Sequence, residues 1–305
     1  IDGIVYTGEA GAKVYIPDGF QDTKVTQAEL PKGKSVKYKD KDITHDSTAG
    51  NDDSKVTVTR GTDGKVSVEV PHGHKASAFD YEVENTSTAN SITVKEPSGA
   101  GAHSTKPSVE TKAANDSFVA TKKDDTSDNH TYTATDNMKN FYLGKFSVTV
   151  EAGSNAEVEG ENLNNQQKYY GDSITVTFKP KANHSLDENK VSVTADGTVV
   201  SDASKTKENG NVKVTATVTG EMVIKAEADR LMSEITVNQS GQKGVVTAKY
   251  TDKDGKEQTV TVTDENKTVT VPRNGEVTFT FAPEDASAKS LSVLTELQKD
   301  NEDVF

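Results

Sequence analysis

The chain has 305 residues, a hydrophobic fraction of 32%, a net charge of −13, and neither Cys nor Trp. Zero Cys excludes disulfide staples, thiol nucleophiles and thiolate metal centres, and the acidic balance repels phosphate backbones and so argues against a nucleic-acid partner. So low an apolar content argues against one large core and for several thin sandwiches, each burying one face per sheet.

Taken in chain order, the pattern predicts strands almost throughout. Alternation of Val, Ile, Thr and Phe with polar residues occurs at Lys55–Thr59, Lys65–Val70, Phe146–Val150 and Ser173–Phe178, and again at Val212–Val218, Thr259–Thr263 and Glu276–Phe281. Period-two alternation of such residues marks half-buried strands. Between the runs stand Asp63-Gly64, Asp196-Gly197, Asn209-Gly210, Asp254-Gly255 and Asn274-Gly275, the pairs that supply positive φ in tight hairpins. The best helical signal is a short Leu pattern at Ala286–Leu297.

The sequence also repeats. Val66–Val70 runs into Pro71, Ile174–Phe178 runs into Lys179-Pro180, and Val277–Phe281 runs into Ala282-Pro283. Each break is followed by another apolar strand, at Phe79–Val83, Val191–Val193 and Leu291–Leu294. Lys37–Asp42 echoes Lys249–Asp254, and Thr131–Thr135 leading to Phe141–Leu143 echoes Lys213–Thr217 leading to Met222–Ile224. A period of roughly 105 residues exceeds that of a solenoid repeat and suits one sandwich per repeat. The expected fold is therefore all-β: tandem small β-sandwich modules in an elongated arrangement. Their expected bounds are 1–145, with a polar, loop-like insertion near 97–128; 146–230; and 231–305, incomplete and pointing to a longer parent chain.

The module at 146–230 has a recognisable order of motifs: Phe146–Val150, then Tyr169-Tyr170-Gly171-Asp172 running into Ser173–Pro180, then Lys190–Gly197, then Gly220–Lys225. That order resembles the B-repeat-like modules of listerial internalins and related Gram-positive surface proteins. The resemblance covers this module well and the other two loosely. It implies small immunoglobulin-like or B-repeat-like modules in a cell-wall or surface-layer protein, and no shared chemistry. The slot after Pro180, which commonly holds Gly-Tyr and an aromatic residue in those repeats, reads Ala182–Leu186 here.

Candidate sites are few. His72 and His74 fall on one side of an extended segment and offer two metal ligands, short of a full set. Asp252, Asp254 and Glu257 have the oxygen-rich look of a calcium loop, yet lack the EF-hand pattern with its closing bidentate Glu, and a hairpin turn at Asp254-Gly255 between flanking strands Val245–Tyr250 and Gln258–Thr263 explains them better. Calcium is the one cofactor these residues suggest. Gly99 and Gly101 follow a strand, but Lys106-Pro107 disfavours the helix that a phosphate cradle requires. For binding, Tyr169, Tyr170, Phe141 and Tyr142 are the expected exposed aromatic clusters, since Tyr buries much area at low entropic cost; the alternative places these rings in small cores. No Gly-x-Ser-x-Gly, His-Glu-x-x-His or phosphate-loop sequence occurs. The expectation is a non-enzymatic extracellular protein of the bacterial cell surface or cell wall. It would be structural, as a surface layer, stalk or filament, and would associate with itself or with neighbouring surface proteins, without nucleic acid and without inserting in the membrane. The alternatives are an adhesin for host protein or glycan and an immunoglobulin-like component of a phage virion.

Overall fold

The computed structural model describes residues 27–46, 53–160, 163–237, 244–263 and 265–283, with short strands at 14–15, 298–299 and 302–303. The chain is all-β, 56% strand and 2% helix, so sheet packs on sheet throughout. Three separate apolar cores form, drawn from 28–143, 146–228 and 246–271. The helical signal at Ala286–Leu297 and the expected strand at Leu291–Leu294 lie outside the described residues.

The first core lies between two sheets. One holds β1 (Val14–Tyr15), β3 (Ser35–Tyr38), β4 (Lys41–His45), β7 (Lys75–Ala78), β8 (Tyr81–Asn85), β11 (Ser117–Lys122) and β12 (Asn129–Thr133). The other holds β2 (Gln27–Leu30), β5 (Val56–Arg60), β6 (Val66–Val70), β9 (Ile92–Lys95), β10 (Ser108–Glu110) and β13 (Asn140–Tyr142). From β2 onward the spatial order within each sheet is also the chain order. The chain lays a hairpin in one sheet, crosses, and lays the next hairpin in the other. That order is not the Greek key of an immunoglobulin-like connection, in which a strand returns beside one laid down earlier.

The crossing turn is built the same way three times. Gly33 N–H donates to His45 C=O at 2.7 Å, Gly73 N–H to Asn85 C=O at 2.9 Å, and Asn115 N–H to Ala134 C=O at 2.9 Å. All three donors hold positive φ, +73°, +73° and +68°, which glycine adopts freely and Asn tolerates. The first two turns share a Pro-x-Gly pattern, as Leu30-Pro31-Lys32-Gly33 and Val70-Pro71-His72-Gly73. Within this sandwich the repeating unit is thus a set of four strands, roughly 40 residues long, rather than one whole sandwich. The stretch 97–128, expected as a polar insertion, supplies β10 and β11, with Val109 and Phe118 fully buried. Val109 and Phe118 point into the core while Val119 faces the other way, so its average polarity hides two strands.

The second core is sealed by two sheets. The strands are β14 (Lys145–Ala152), β15 (Ala156–Glu159), β16 (Gln166–Tyr169), β17 (Ser173–Pro180), β19 (Val191–Ala195), β20 (Thr198–Val199), β21 (Ser204–Glu208), β22 (Asn211–Thr217) and β23 (Met222–Ala226). One sheet runs in the order β16-β14-β23-β19-β20 and the other β15-β17-β22-β21. A short pair, β18 (His184–Ser185) with β24 (Asp229–Arg230), stands beside them. The first and closing strands, β14 and β23, pair in parallel from Val148↔Met222 to Ala152↔Ala226. Phe146, Phe178, Leu186, Met222 and Ile224 fill the interior. Two tight hairpins turn on Asp196-Gly197 (φ +48° and +78°) and Asn209-Gly210 (φ +51° and +82°), as those dipeptides predict. The third core is small: Val246, Ala248, Val262, Val269 and Val271 lie between the pair β25 (Met232–Thr236) and β28 (Thr268–Pro272) and the trio β26 (Gly244–Thr251), β27 (Glu257–Val262) and β29 (Val277–Pro283).

Candidate functional site

The residues singled out in the sequence fall in three places. Asp252, Asp254 and Glu257 sit at the β26–β27 hairpin. One Asp252 carboxylate oxygen accepts from the N–H groups of Asp254 and Lys256, each at 2.9 Å, and the other accepts from the Gln258 amide at 2.6 Å. Those bonds hold its carboxyl below the usual range, the Lys256 amide most of all. Asp254 pairs with Lys253 at 3.2 Å, and Glu257 with Lys249 at 3.0 Å. The Asp252 carboxylate is spent on shaping the turn and the other two face lysines, and among the described residues no group of three or more acidic or His side chains converges as a metal set would. His72 is exposed and His74 buried, so the extended-segment pair is split. His74 instead meets His45: His45 Nδ1 contacts Leu30 C=O at 2.8 Å, and its Nε2 lies 2.9 Å from His74 Nδ1.

The aromatic residues expected on the surface form a joint between the first two sandwiches. Phe141 is buried in the first core, and Tyr142, Tyr169 and Tyr170 are half-buried. Tyr170 packs against Phe141 and Tyr142 on one side and Phe146 of the second core on the other, with ring centroids 5.6–6.2 Å apart. Two histidines complete the joint. His103 stacks on Tyr142 at 4.1 Å and faces Asp196 at 3.4 Å; His130 stacks on Tyr169 at 4.1 Å and faces Asp172 at 3.5 Å. The rings gather at the boundary because β13 runs into β14 through Leu143 and Gly144 alone. A free recognition surface would leave them open; here the neighbouring sandwich covers them.

One sizeable concavity among the described residues has no motif in the sequence to announce it. It has a volume of about 470 Å³ and lies where two hairpin tips of the first sandwich meet the 96–107 segment. The tips are Lys39-Asp40 and Phe79-Asp80, both two-residue turns with two successive positive φ angles (+45° and +60°; +50° and +69°). A bulky residue at positive φ is strained, and Phe79 accepts that conformation with its ring edge-on to Tyr38 at 6.5 Å. Glu96, 5% exposed, accepts from Tyr38 Oη at 2.7 Å and faces Lys39 and Lys65 at 3.5 and 3.7 Å. Lys41 pairs with Asp80 at 2.5 Å and Lys122 with Asp124 at 3.5 Å.

Two lining groups are left over. Tyr81, 7% exposed, has a hydroxyl with no hydrogen-bond partner among the described residues. Burial, with Asp128, Asp124 and Asp80 nearby, pushes that hydroxyl up to about 12, so it stays protonated and available to donate. Lys106 is half-buried; its ammonium donates to Lys145 C=O at 2.8 Å and lies 4.7 Å from the Phe146 ring centre, with no carboxylate oxygen in ion-pair range among the described residues. Burial lowers its pKa, against the pull of the more distant Asp128 and Glu221. Both groups crowd Gly144 (φ +90°), where an added Cβ would stand 2.6 Å from Tyr81 Oη and 3.4 Å from Lys106 Nζ. The sequence signal for this site is the recurrence of Asp beside Tyr or Phe at residues 38–42 and 79–81; without Gly, neither tip reads as a turn. Compared with models of protein families, with curated proteins and with solved structures, the chain finds no match.

Proposed function

We propose that this chain is a non-enzymatic structural segment of a protein displayed outside a bacterial cell, in which β-sandwiches act as spacers in a stalk, filament or surface layer. Copies of the same chain and neighbouring surface proteins are its natural partners. The observation that supports this reading best is the joint between the first two sandwiches. A spacer must hold its parts at a fixed separation, and rings from both bodies interleave there, with His103–Asp196 and His130–Asp172 at its margins. Acidic, Cys-free sandwiches suit an exposed location where neither thiol chemistry nor phosphate binding is called on. Electron microscopy of the purified chain, concentrated with and without calcium, tests the reading. Particles in which the first two bodies keep one separation and angle, or that assemble into filaments or sheets, support it. A broad spread of angles between those bodies, with no assembly, sinks it. A second reading, an adhesin for a glycan, is favoured by one observation, the cleft beside Tyr81 and Lys106.

A further inference from the structure

We infer that the cleft between the Lys39-Asp40 and Phe79-Asp80 tips is a binding site for a carboxylate-bearing sugar, a hexuronic acid. Its lining offers two donors that meet no carboxylate among the described residues: the hydroxyl of Tyr81, a residue only 7% exposed, and the Lys106 ammonium, which donates to the neutral Lys145 carbonyl. A partly desolvated ammonium with no carboxylate beside it, next to a tyrosine hydroxyl able to donate, is matched by an anionic oxygen, since charge-assisted bonds are the strong ones. The other cleft cations are already neutralised: Lys39 by Glu96, Lys41 by Asp80 and Lys122 by Asp124. The floor therefore calls for one negative charge, not several.

The walls decide what carries that charge. Asp42, Asp80 and Glu96 line the same cleft, acceptors that suit ligand hydroxyls and repel an acidic peptide. The half-buried Phe79 ring offers an apolar face to the C–H side of a pyranose. One carboxylate, several hydroxyls and one apolar face describe a uronic acid, and about 470 Å³ accommodates a sugar of one or two rings. The strain at Phe79 fits the same picture, because the turn holds a bulky ring at the cleft mouth where Asn or Gly would sit without strain.

The test is titration of the full chain with glucuronate and galacturonate mono- and disaccharides, followed by calorimetry and by NMR shifts of the cleft amides. Saturable binding is expected for a uronate, with glucose and galactose at least about tenfold weaker, because the charged bond to Lys106 is lost. Tyr81→Phe should weaken binding about three- to tenfold while leaving the melting temperature unchanged, since its hydroxyl has no hydrogen-bond partner among the described residues. Lys106→Met should weaken it about tenfold or more; because Lys106 also touches the joint, its variant is read together with the Tyr81 one. Absence of binding by every uronate, equal binding of the neutral sugars or of an acidic peptide, or binding undiminished in both variants overturns the assignment. A flat titration leaves the spacer reading standing, since that reading requires no ligand.

Discussion

Between the first and second sandwiches aromatic side chains interleave, with hydrogen bonds such as Lys106 to Lys145 C=O beside them, whereas between the second and third the crossings among the described residues are hydrogen bonds to backbone carbonyls. At the first boundary Tyr170 touches Phe141 of the first core and Phe146 of the second, and His103 touches Tyr142 and Phe146. At the second, Leu231 N–H donates to Asn183 C=O at 2.9 Å, Arg273 N–H to Leu231 C=O at 2.7 Å, and Arg230 Nη2 to Arg273 C=O at 2.7 Å. Hydrogen bonds fix register but contribute about 1 kcal/mol each, whereas aromatic burial adds several-fold more per residue. The first two bodies should therefore melt together and the third apart.

Removing the ring on which the first core is built is the strongest way to break this contrast. Phe118 is fully buried and stacks on Tyr132 at 4.9 Å. Phe118→Ala should cost about 3–5 kcal/mol, unfold the first sandwich, lower the second with it, and leave the third transition in calorimetry where it was. A drop shared by all three would mean that the backbone boundary couples as well as the aromatic one. Tyr170→Ala acts on the joint alone. It should cost about 2 kcal/mol and split one shared transition into two, and an unsplit transition would deny the joint its coupling role.

Acid sharpens the contrast more gently. Burial holds His45 below its ordinary value, with His74 and Lys32 pushing the same way against the Leu30 carbonyl and Asp46. Burial does the same to His130, against Asp172 and Asp128. A histidine with a lowered folded pKa contributes its stability in full above the unfolded value, near 6.5, and loses it as pH falls through that value toward the folded one. Urea midpoints of the first sandwich should therefore fall between pH 7.5 and 5.5, by the equivalent of about 1 kcal/mol. His45→Asn should flatten part of that slope, because Asn85 already makes the corresponding bond to Val70 C=O at 2.9 Å. A slope unchanged in this variant would remove His45 from the account. Below that window a second loss is expected at Asp116. Burial raises its carboxyl, but Asn90 and the amides of Ala113 and Lys112 outweigh that and hold it low, so its contribution disappears as pH falls through its depressed value. The smallest effect is at the third body. Asp252→Ala removes three accepted bonds from an exposed turn, seen as faster amide exchange confined to the β26–β27 hairpin. Exchange accelerating in the first sandwich would contradict independent bodies.

Much of the fold is legible in the sequence because its signals are local. Alternation places β6, β17 and β29 correctly, and Asp196-Gly197 and Asn209-Gly210 turn as those pairs should. The short four-strand unit is harder to see, since its third crossing turn uses Asn115 where the first two use Gly, and one Pro-x-Gly pair is little to go on. The aromatic residues do form a cluster, but which side of them is covered depends on a neighbouring sandwich that sequence does not position. The cleft stays hidden for a sharper reason. It is framed by two hairpin tips, Lys39-Asp40 and Phe79-Asp80, that adopt a glycine-type geometry without glycine.

The three matching crossing turns have a further consequence. Each unit adds two strands to each sheet, and neighbouring strands lie about 4.8 Å apart, so one unit lengthens the stack by about 10 Å along the direction of strand pairing. Because every unit touches only the units before and after it, gaining or losing one alters the reach of the body without redesigning its interior. The first sandwich is in that sense a graduated rule, whose length is set by how many times a four-strand motif is copied.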